Sequence, residues 1–204
     1  MFFFVLSGIT GYLIGSIPTA FLLVRWKSNV DIRGTGSGNV GALNSFQVTR
    51  SKWLGGAVLL LDLLKGAVAV WLSSVFSGGQ FSTQAVAGVA AVTGHNFPVW
   101  LRFKGGRGLA TAAGVTMVLA WPFVAIWGVL WVLGFLLLRH VNVANAAASV
   151  LEMLGILLVP AGILALAAGS SIEPAEFRAF GLSLFIVILI KHIEPVREFM
   201  KSGH

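Results

Sequence analysis

The sequence predicts an all-α integral membrane protein with seven transmembrane helices, its N-terminus outside and its C-terminus in the cytoplasm. Hydrophobic residues make up 57% of the 204-residue chain and charged residues only 10%, with a mean hydropathy of +0.91. Soluble domains carry roughly 25% charged residues, because their surface faces water. The composition therefore excludes a soluble enzyme and a disordered chain. The lack of cysteine excludes a disulfide-stapled domain and thiolate chemistry.

Each predicted transmembrane helix is an apolar stretch, and a helix needs about 20 such residues to cross a bilayer. The first stretch lacks the basic start of a signal peptide, so we interpret it as a retained helix. The fourth stretch is short and ends at Trp121-Pro122, so the fourth and fifth stretches could also form one bent helix. The seven predicted spans are Phe2–Val24, Trp53–Phe76, Phe81–Leu101, Leu109–Ala120, Pro122–Leu138, Val143–Ala168 and Ala175–Ile190.

The loop charges decide between seven spans and six. With seven spans, the basic loops and the basic tail all lie on one side of the membrane, and only Arg178 lies on the other. A single bent helix in place of spans four and five would move Arg139 and the tail to the opposite side. Because cytoplasmic loops are enriched in Lys and Arg, the sequence predicts seven spans, with the basic loops in the cytoplasm.

The net charge of +7 and the pI near 10.6 fit the same topology. Basic residues on the cytoplasmic side face anionic membrane lipids, and an anionic substrate would also explain them. We therefore expect no nucleic-acid partner. Almost nothing remains for a separate soluble region, so residues 1–204 are predicted to form a single transmembrane domain.

A glycine-rich cluster lies in the longest loop, residues 25–52. It contains the spacing GxGxxG, but no buried strand precedes it, so a dinucleotide-binding fingerprint is a weak match. A glycine-rich turn that points backbone N–H groups into a cavity binds anions. The alternative is a flexible interfacial turn. The polar side chains that favour the anion site are Ser37, Asn39 and Asn44.

A second cluster runs from Lys104 to Gly108, directly before the fourth predicted span. Its glycines let the backbone approach a ligand, and the helix that begins at Leu109 would direct its N–H groups at the same place. Lys104 and Arg107 add positive charge, so the pattern favours a phosphate site over a lipid-headgroup anchor. His95 could serve as a base here, although a lone histidine is more often structural.

Three charged residues lie inside predicted spans and away from their ends: Asp62, Lys65 and Glu152. Ionisable groups within a membrane are costly and indicate function. Asp62 and Lys65 are three residues apart and can pair on one helix face, which favours a buried ion pair beneath the site, with a proton path as the alternative. The four histidines lack metal-ligand spacing, so no metal site is predicted.

Two further polar segments lie on the same predicted side, residues 139–145 and Lys191-His192. Together with the two glycine clusters, they bring cations, amides and a histidine to one membrane–water interface. This convergence of four segments is the main functional argument from the residues themselves.

With these motifs, the chain resembles the bacterial acyl-phosphate:glycerol-3-phosphate acyltransferases, the PlsY family of phospholipid synthesis. The similarity covers nearly the whole chain, with the motifs in the family's order. Among the departures, Gln47 stands where an arginine is usual, and Arg50, one helical turn later, is expected to supply that charge. The matching motifs are Gly36-Ser37-Gly38-Asn39, Gly41-Ala42, Asn44, Leu61-Asp62-Leu63-Leu64-Lys65-Gly66, Gly94-His95-Asn96-Phe97-Pro98, Phe103-Lys104-Gly105-Gly106-Arg107-Gly108, Ala110-Thr111 and Lys191-His192.

The resemblance implies an enzyme that moves an acyl chain from acyl-phosphate to the 1-hydroxyl of glycerol 3-phosphate, giving lysophosphatidic acid and phosphate. Its partners would be glycerol 3-phosphate, long-chain acyl-phosphate and membrane lipid, with no cofactor, and we expect a monomer. The expected catalytic residues are Ser37, Lys104 and His192. The expected substrate- and phosphate-binding residues are Asn39, Gly41, Asn44, Arg50, His95, Gly105, Gly106, Arg107, Gly108 and Asn142.

The donor follows from a missing pattern. Acyltransferases that use acyl-CoA or acyl-carrier protein commonly show HxxxxD, and no histidine of this chain has an aspartate at that spacing. A more activated donor, acyl-phosphate, therefore fits. The alternative function is a small anion or phosphate-ester transporter, which the absence of a visible inverted repeat disfavours.

Overall fold

The computed structural model describes residues 1–168 and 172–202, and these residues form helices joined by loops, with no strand among them. Short 3₁₀ helices cover Ile32–Gly34 and Val99–Leu101. The α-helices are α1 (Phe2–Gly15), α2 (Thr19–Ser28), α3 (Ala42–Thr49), α4 (Lys52–Ser77), α5 (Phe81–Asn96), α6 (Leu109–Leu138), α7 (Val141–Leu158), α8 (Ala161–Ala168), α9 (Pro174–Ile190) and α10 (Ile193–Lys201).

Within the described residues, four helical stretches are long and apolar enough to cross a membrane. A fifth is reached if the bent pair α9 and α10, which meet at 49°, counts as one span. The prediction of an all-helical, multi-pass membrane protein is thereby confirmed, whereas the number seven and the orientation stay predictions. The four stretches are Phe2–Ser28, Lys52–Ser77, Leu109–Leu138 and Val141–Leu158.

Prolines account for most differences between predicted and observed bounds. The first predicted span is interrupted between α1 and α2 at Pro18, and the third ends at Asn96, before Pro98. The predicted stretch Val143–Ala168 is divided into α7 and α8 at Pro160. Proline lacks an N–H group and clashes with the preceding turn, so an α-helix stops or bends there.

Helix α6 joins the predicted fourth and fifth spans into one element with a break inside it. Ala120 leaves the helical conformation, with φ −163° and ψ 71°, two residues before Pro122. The predicted turn at Trp121-Pro122 is therefore observed as a kink. Pro122 causes the kink, because proline has no N–H to donate to the carbonyl four residues earlier and its ring clashes with that carbonyl.

The first compact unit, Met1–Val115, is assembled through glycine contacts. Gly11 and Gly15 of α1 lie against the backbone of Ala87 and Ala91 in α5, so closely that a Cβ at either glycine would overlap it. Small residues four apart allow such backbone approach between membrane helices. The same contact joins α4 to the start of α6, where Gly66 lies against the carbonyl of Thr111.

The second compact unit begins at Thr116. Here the second half of α6 packs against α7 through hydrogen bonds that its tryptophans donate. The ring centroids of Phe123 and of Phe177 in α9 are 4.9 Å apart. Arg178 of α9 donates to the carbonyl of Val159 at 2.7 Å. This bond gives a hydrogen-bond donor to a carbonyl at the end of α7, where the helix has no following turn whose N–H groups could supply one.

Candidate functional site

The first glycine loop, residues 34–41, is organised by the side chain of Asn44. This residue is 1% exposed and lies in the first turn of α3. Its Nδ2 donates to the carbonyls of Thr35 and Asn39, each at 3.0 Å, and its Oδ1 accepts from the backbone N–H of Ser37 at 3.0 Å. One amide group thus fixes the loop at several points, which is the role that the structure gives to Asn44.

Two glycines provide the backbone geometry of this loop. Gly36 and Gly38 have φ angles of 62° and 68°, in the left-handed region that L side chains rarely adopt. A Cβ at Gly36 would also overlap the amide oxygen of Asn44. As a result, Ser37 is exposed and Asn39 is half-buried, so both predicted side chains remain accessible at the loop. Gly41 precedes α3 and accepts from Ser45.

The second glycine loop, residues 104–108, is folded onto the end of α5. The N–H of Gly106 donates to the carbonyl of His95 at 3.0 Å. Gly105 lies against the same carbonyl, and Gly106 lies against the imidazole of His95, so neither position has room for a Cβ. Gly108, with a φ of 84°, turns the chain into α6. The glycines are therefore required by packing at least as much as by access to a ligand.

The two glycine loops meet. A Cβ at Gly106 would lie 2.8 Å from the carbonyl oxygen of Val40, the next-to-last residue of the first loop. Val40, His95 and Gly105 also line a cavity of about 10 Å³, which is room for about one water molecule. The structure thus brings together the two glycine clusters that the sequence places at one membrane–water interface, although residues 42–103 lie between them.

A buried ion pair lies beneath this junction. Lys65 Nζ is 2.8 Å from Asp62 Oδ1, and both residues are buried, as predicted for an i, i+3 pair. Thr19 donates to the same carboxyl oxygen at 2.5 Å, and His95 Nδ1 lies 3.6 Å from it. Lys65 also donates to the carbonyl of Ile17 at 3.1 Å. The pair therefore holds the break between α1 and α2 and the imidazole that carries the second glycine loop.

The positive charge at the junction comes from the second loop. Lys104 is exposed, and Arg107 is half-buried. The backbone then enters α6, and the first N–H groups of a helix have no acceptor within that helix, because no turn precedes them. Such a helix start, together with cations and close glycines, attracts an anion. Arg50 is exposed at the end of α3 with a φ of 56°, and its guanidinium has no hydrogen bond or ion pair within residues 1–168 and 172–202 that would place it at the junction.

Arg33 is engaged within its own loop. Its guanidinium and backbone N–H both bond the carboxyl of Asp31, with Nη2 2.6 Å from Oδ2. These hydrogen bonds hold the pKa of Asp31 at about 2, below its usual 3.8, even though the pair lies near the surface. Asp31 is therefore ionised at neutral pH and compensates the charge of Arg33. Lys104 and Arg107 are the cations of the second glycine loop.

The predicted residues Asn142 and His192 belong to the second unit. His192 is 1% exposed, and its Nδ1 lies 2.9 Å from the carbonyl oxygen of Ile188. Because a carbonyl only accepts, Nδ1 carries the proton and Nε2 carries the lone pair. Asn142 is half-buried in the first turn of α7, next to His140, which caps that helix by accepting from Val143.

Several residues that support the site were missed in the sequence. Trp100 donates to Ser16 at 2.9 Å, and Tyr12 donates to the carbonyl of Phe97 at 2.9 Å, so both tie the segment between α5 and the second loop to the end of α1. Thr19 bonds Asp62 as described above. A lone threonine or tyrosine in an apolar span gives no sequence signal, because its partner lies more than 40 residues away.

Comparison with known proteins gives consistent results. A family model described as glycerol-3-phosphate acyltransferase matches residues 5–202. The chain is 39% identical to the glycerol-3-phosphate acyltransferase of Mesorhizobium japonicum over 92% of this chain and 88% of the relative. It is 38% identical to that of Caulobacter vibrioides over 94% of this chain and 82% of the relative.

Solved structures match as well. The fold is similar to the crystal structure of PlsY, an integral membrane glycerol 3-phosphate acyltransferase, in its glycerol 3-phosphate form. The TM-score is 0.80 at 30% identity, covering 98% of this chain and 92% of that chain. The lysophosphatidic acid form of that protein gives a TM-score of 0.79.

Proposed function

Because the chain belongs to the glycerol-3-phosphate acyltransferase family, we propose that it transfers a long-chain acyl group from acyl-phosphate to the 1-hydroxyl of glycerol 3-phosphate. The hydroxyl oxygen attacks the acyl carbon, and the bond from that carbon to the bridging phosphate oxygen breaks. The products are lysophosphatidic acid and inorganic phosphate. The observation that carries this proposal is the meeting of the two glycine loops at Gly106 and Val40.

Two anions must be held close together for this reaction, and they repel each other. We assign the phosphate groups to Lys104, Arg107 and the N–H groups around Gly105–Gly108, apart from that of Gly106, which bonds the carbonyl of His95. The ammonium of Lys104 supplies charge without a fixed geometry, and the helix start adds directed N–H donors. Holding both reactants in this way contributes roughly 7–11 kcal/mol to lowering the barrier. Arg50 and Asn142 are proposed as further substrate contacts.

The remaining polar residues position the substrates. Ser37 and Asn39 are accessible at the first loop, and we assign them to the glycerol phosphate and the acyl carbonyl. Asn44 acts by fixing that loop, since its amide is already bonded to the loop backbone. His95 acts in the same indirect way on the second loop, because its imidazole lies against Gly106.

The alcohol loses a proton as it attacks. We assign this proton to Nε2 of His192, because the hydrogen bond from Nδ1 to Ile188 leaves the lone pair on Nε2. Acyl-phosphate is a mixed anhydride with phosphate as a good leaving group, so a single base is sufficient. Asp62 and His95 do form a pair in space, but Lys65 and Thr19 share the carboxylate, which favours a structural role for it.

The donor is tested with the purified protein in micelles. Palmitoyl phosphate should support acylation of glycerol 3-phosphate, and palmitoyl-CoA and palmitoyl-acyl-carrier protein should not. These two donors release a thiolate instead of phosphate, and a thiolate cannot make the phosphate contacts that the proposed site offers next to the acyl carbon. Comparable rates with acyl-CoA would contradict acyl-phosphate as the specific donor, and only the proposed acceptor, glycerol 3-phosphate, would stand.

We also propose the topology that the loop charges predict. The chain crosses the bacterial inner membrane seven times as a single transmembrane domain, with its N-terminus outside and both glycine loops facing the cytoplasm, and it acts as a monomer. The basic residues of the loops and the tail support this orientation. A cytoplasmic site would give direct access to soluble glycerol 3-phosphate, and the acyl chain would stay in the bilayer.

A further inference from the structure

Helix α7 carries a line of three buried polar residues, Asn145, Ser149 and Glu152. Their spacing of four and three residues puts them on one helix face. Their exposed fractions are 7%, 0% and 4%. In a helix that crosses a membrane, each such group needs a hydrogen-bonding partner, since water is not available to it.

The second half of α6 supplies a partner to two of the three. Trp131 Nε1 donates to Asn145 Oδ1 at 2.6 Å, and Trp127 Nε1 donates to Ser149 Oγ at 3.1 Å. One turn further along this face of α6 stands Phe123, which has no donor. Accordingly, Oε1 of Glu152 is buried without a hydrogen-bond partner among the described residues.

Glu152 also lines a cavity of about 240 Å³ within the second unit. The other lining residues are apolar, among them Phe123, Ile156 and Leu164. Two further lining residues, Ile126 and Leu151, are exposed, so the cavity opens at the apolar surface of the unit. Apolar cavities of roughly 150 Å³ already bind molecules the size of benzene. The space therefore suffices for part of a lipid chain, and Glu152 provides one polar anchor.

We propose that this cavity binds a single-chain lipid with an uncharged hydroxyl group, such as a long-chain alcohol or a monoacylglycerol. The alkyl chain fills the apolar space, and the hydroxyl supplies the hydrogen bond that Glu152 lacks. A charged headgroup of either sign would have to leave water for a space in which Glu152 is the one polar side chain among the lining residues, whereas a hydroxyl needs only one hydrogen bond. None of the lining residues belongs to the proposed catalytic set, so the site is additional to the acyltransferase site.

The test uses the full chain in lipid nanodiscs and a dodecan-1-ol analogue with a photoreactive diazirine in its chain. Adducts are mapped by mass spectrometry, and dodecan-1-ol and dodecane are compared as competitors. The expected adducts lie in residues 123–130 and 151–164. Dodecan-1-ol should compete at least about fivefold better than dodecane, because it alone can make one hydrogen bond to Glu152. Adducts elsewhere only, or equal competition by dodecane, would overturn the proposal.

Three variants separate the anchor from the space. Glu152→Leu should remove the advantage of dodecan-1-ol over dodecane, and Glu152→Gln should keep most of it, because the amide still bonds a hydroxyl. Gly155 lines the cavity, and a Cβ there would meet no atom within 4 Å. Gly155→Leu should therefore fill the space without strain and abolish labelling. Labelling of Gly155→Leu at the parental level would refute the site even if Glu152→Leu fails to fold.

Discussion

At the scale of single residues, Lys104 distinguishes a substrate site from a lipid anchor. Lys104→Ala should lower kcat/KM by about 10- to 150-fold, since charge-assisted hydrogen bonds contribute about 1.5–3 kcal/mol. The melting temperature in detergent should stay near the parental value, because the side chain is exposed. Lys104→Arg keeps the charge but replaces a compact ammonium with a planar fork, so it should recover only part of the activity. Parental activity in Lys104→Ala would move the phosphate site elsewhere.

Two glycines of the same region form a matched pair. A Cβ at Gly106 would overlap the imidazole of His95 and lie 2.8 Å from the carbonyl oxygen of Val40, whereas a Cβ at Gly34 would meet nothing within 4 Å. Gly106→Ala should therefore push the two loops apart and remove most of the acyltransferase activity. Gly34→Ala should be close to parental in steady-state assays. Equal activities of the two variants would mean that the contact between the loops is not needed.

The candidate site shows which residue roles a sequence can give. The glycine clusters and the Asp62–Lys65 pair were predicted, because their signals are local in the chain. The hydrogen bonds of Asn44 to its loop were not predicted, because its amide looks the same in sequence whether it faces a ligand or a backbone carbonyl. The position of His95 between Asp62 and Gly106 depends on three segments packing together.

At the scale of helices, the glycine contact between α1 and α5 should determine stability. A Cβ at Gly15 would overlap the backbone of Ala91, whereas a Cβ at Gly8 has only an ordinary contact with Val86 at 3.7 Å. Gly15→Ala should destabilise the protein by about 1–3 kcal/mol, as overpacking does. Gly8→Ala should change stability little. Thermal unfolding in one detergent, followed by circular dichroism, compares the two, and similar losses would contradict the close approach of α1 and α5.

Helix bounds were predictable where hydropathy and proline agree. The second predicted span, Trp53–Phe76, differs from α4 by one residue at each end. The first, third and sixth spans were predicted too long, because apolar composition continues across Pro18, Pro98 and Pro160 while the helix does not. Helices α3 and α10 were missed, since both lie in segments that hydropathy alone marks as loop or tail.

At the scale of the whole molecule, the number of spans is decided by single cysteines, which the chain otherwise lacks. Lys27→Cys, Gln80→Cys and Ser202→Cys are all exposed positions. With seven spans, an impermeant maleimide should reach positions 27 and 202 from the cytoplasmic side only, and position 80 from outside only. If the kinked α6 crosses once, positions 80 and 202 should label from the same side, which would refute seven spans.

The central claim is a balanced transfer of one acyl group from acyl-phosphate to glycerol 3-phosphate. The most direct measurement follows inorganic phosphate and lysophosphatidic acid together, using purified protein with palmitoyl phosphate and glycerol 3-phosphate. We predict that the two products form in equal amounts, that both require both substrates, and that Lys104→Ala lowers both alike. Phosphate release without lysophosphatidic acid, or neither product from protein with a parental melting temperature, would contradict the claim.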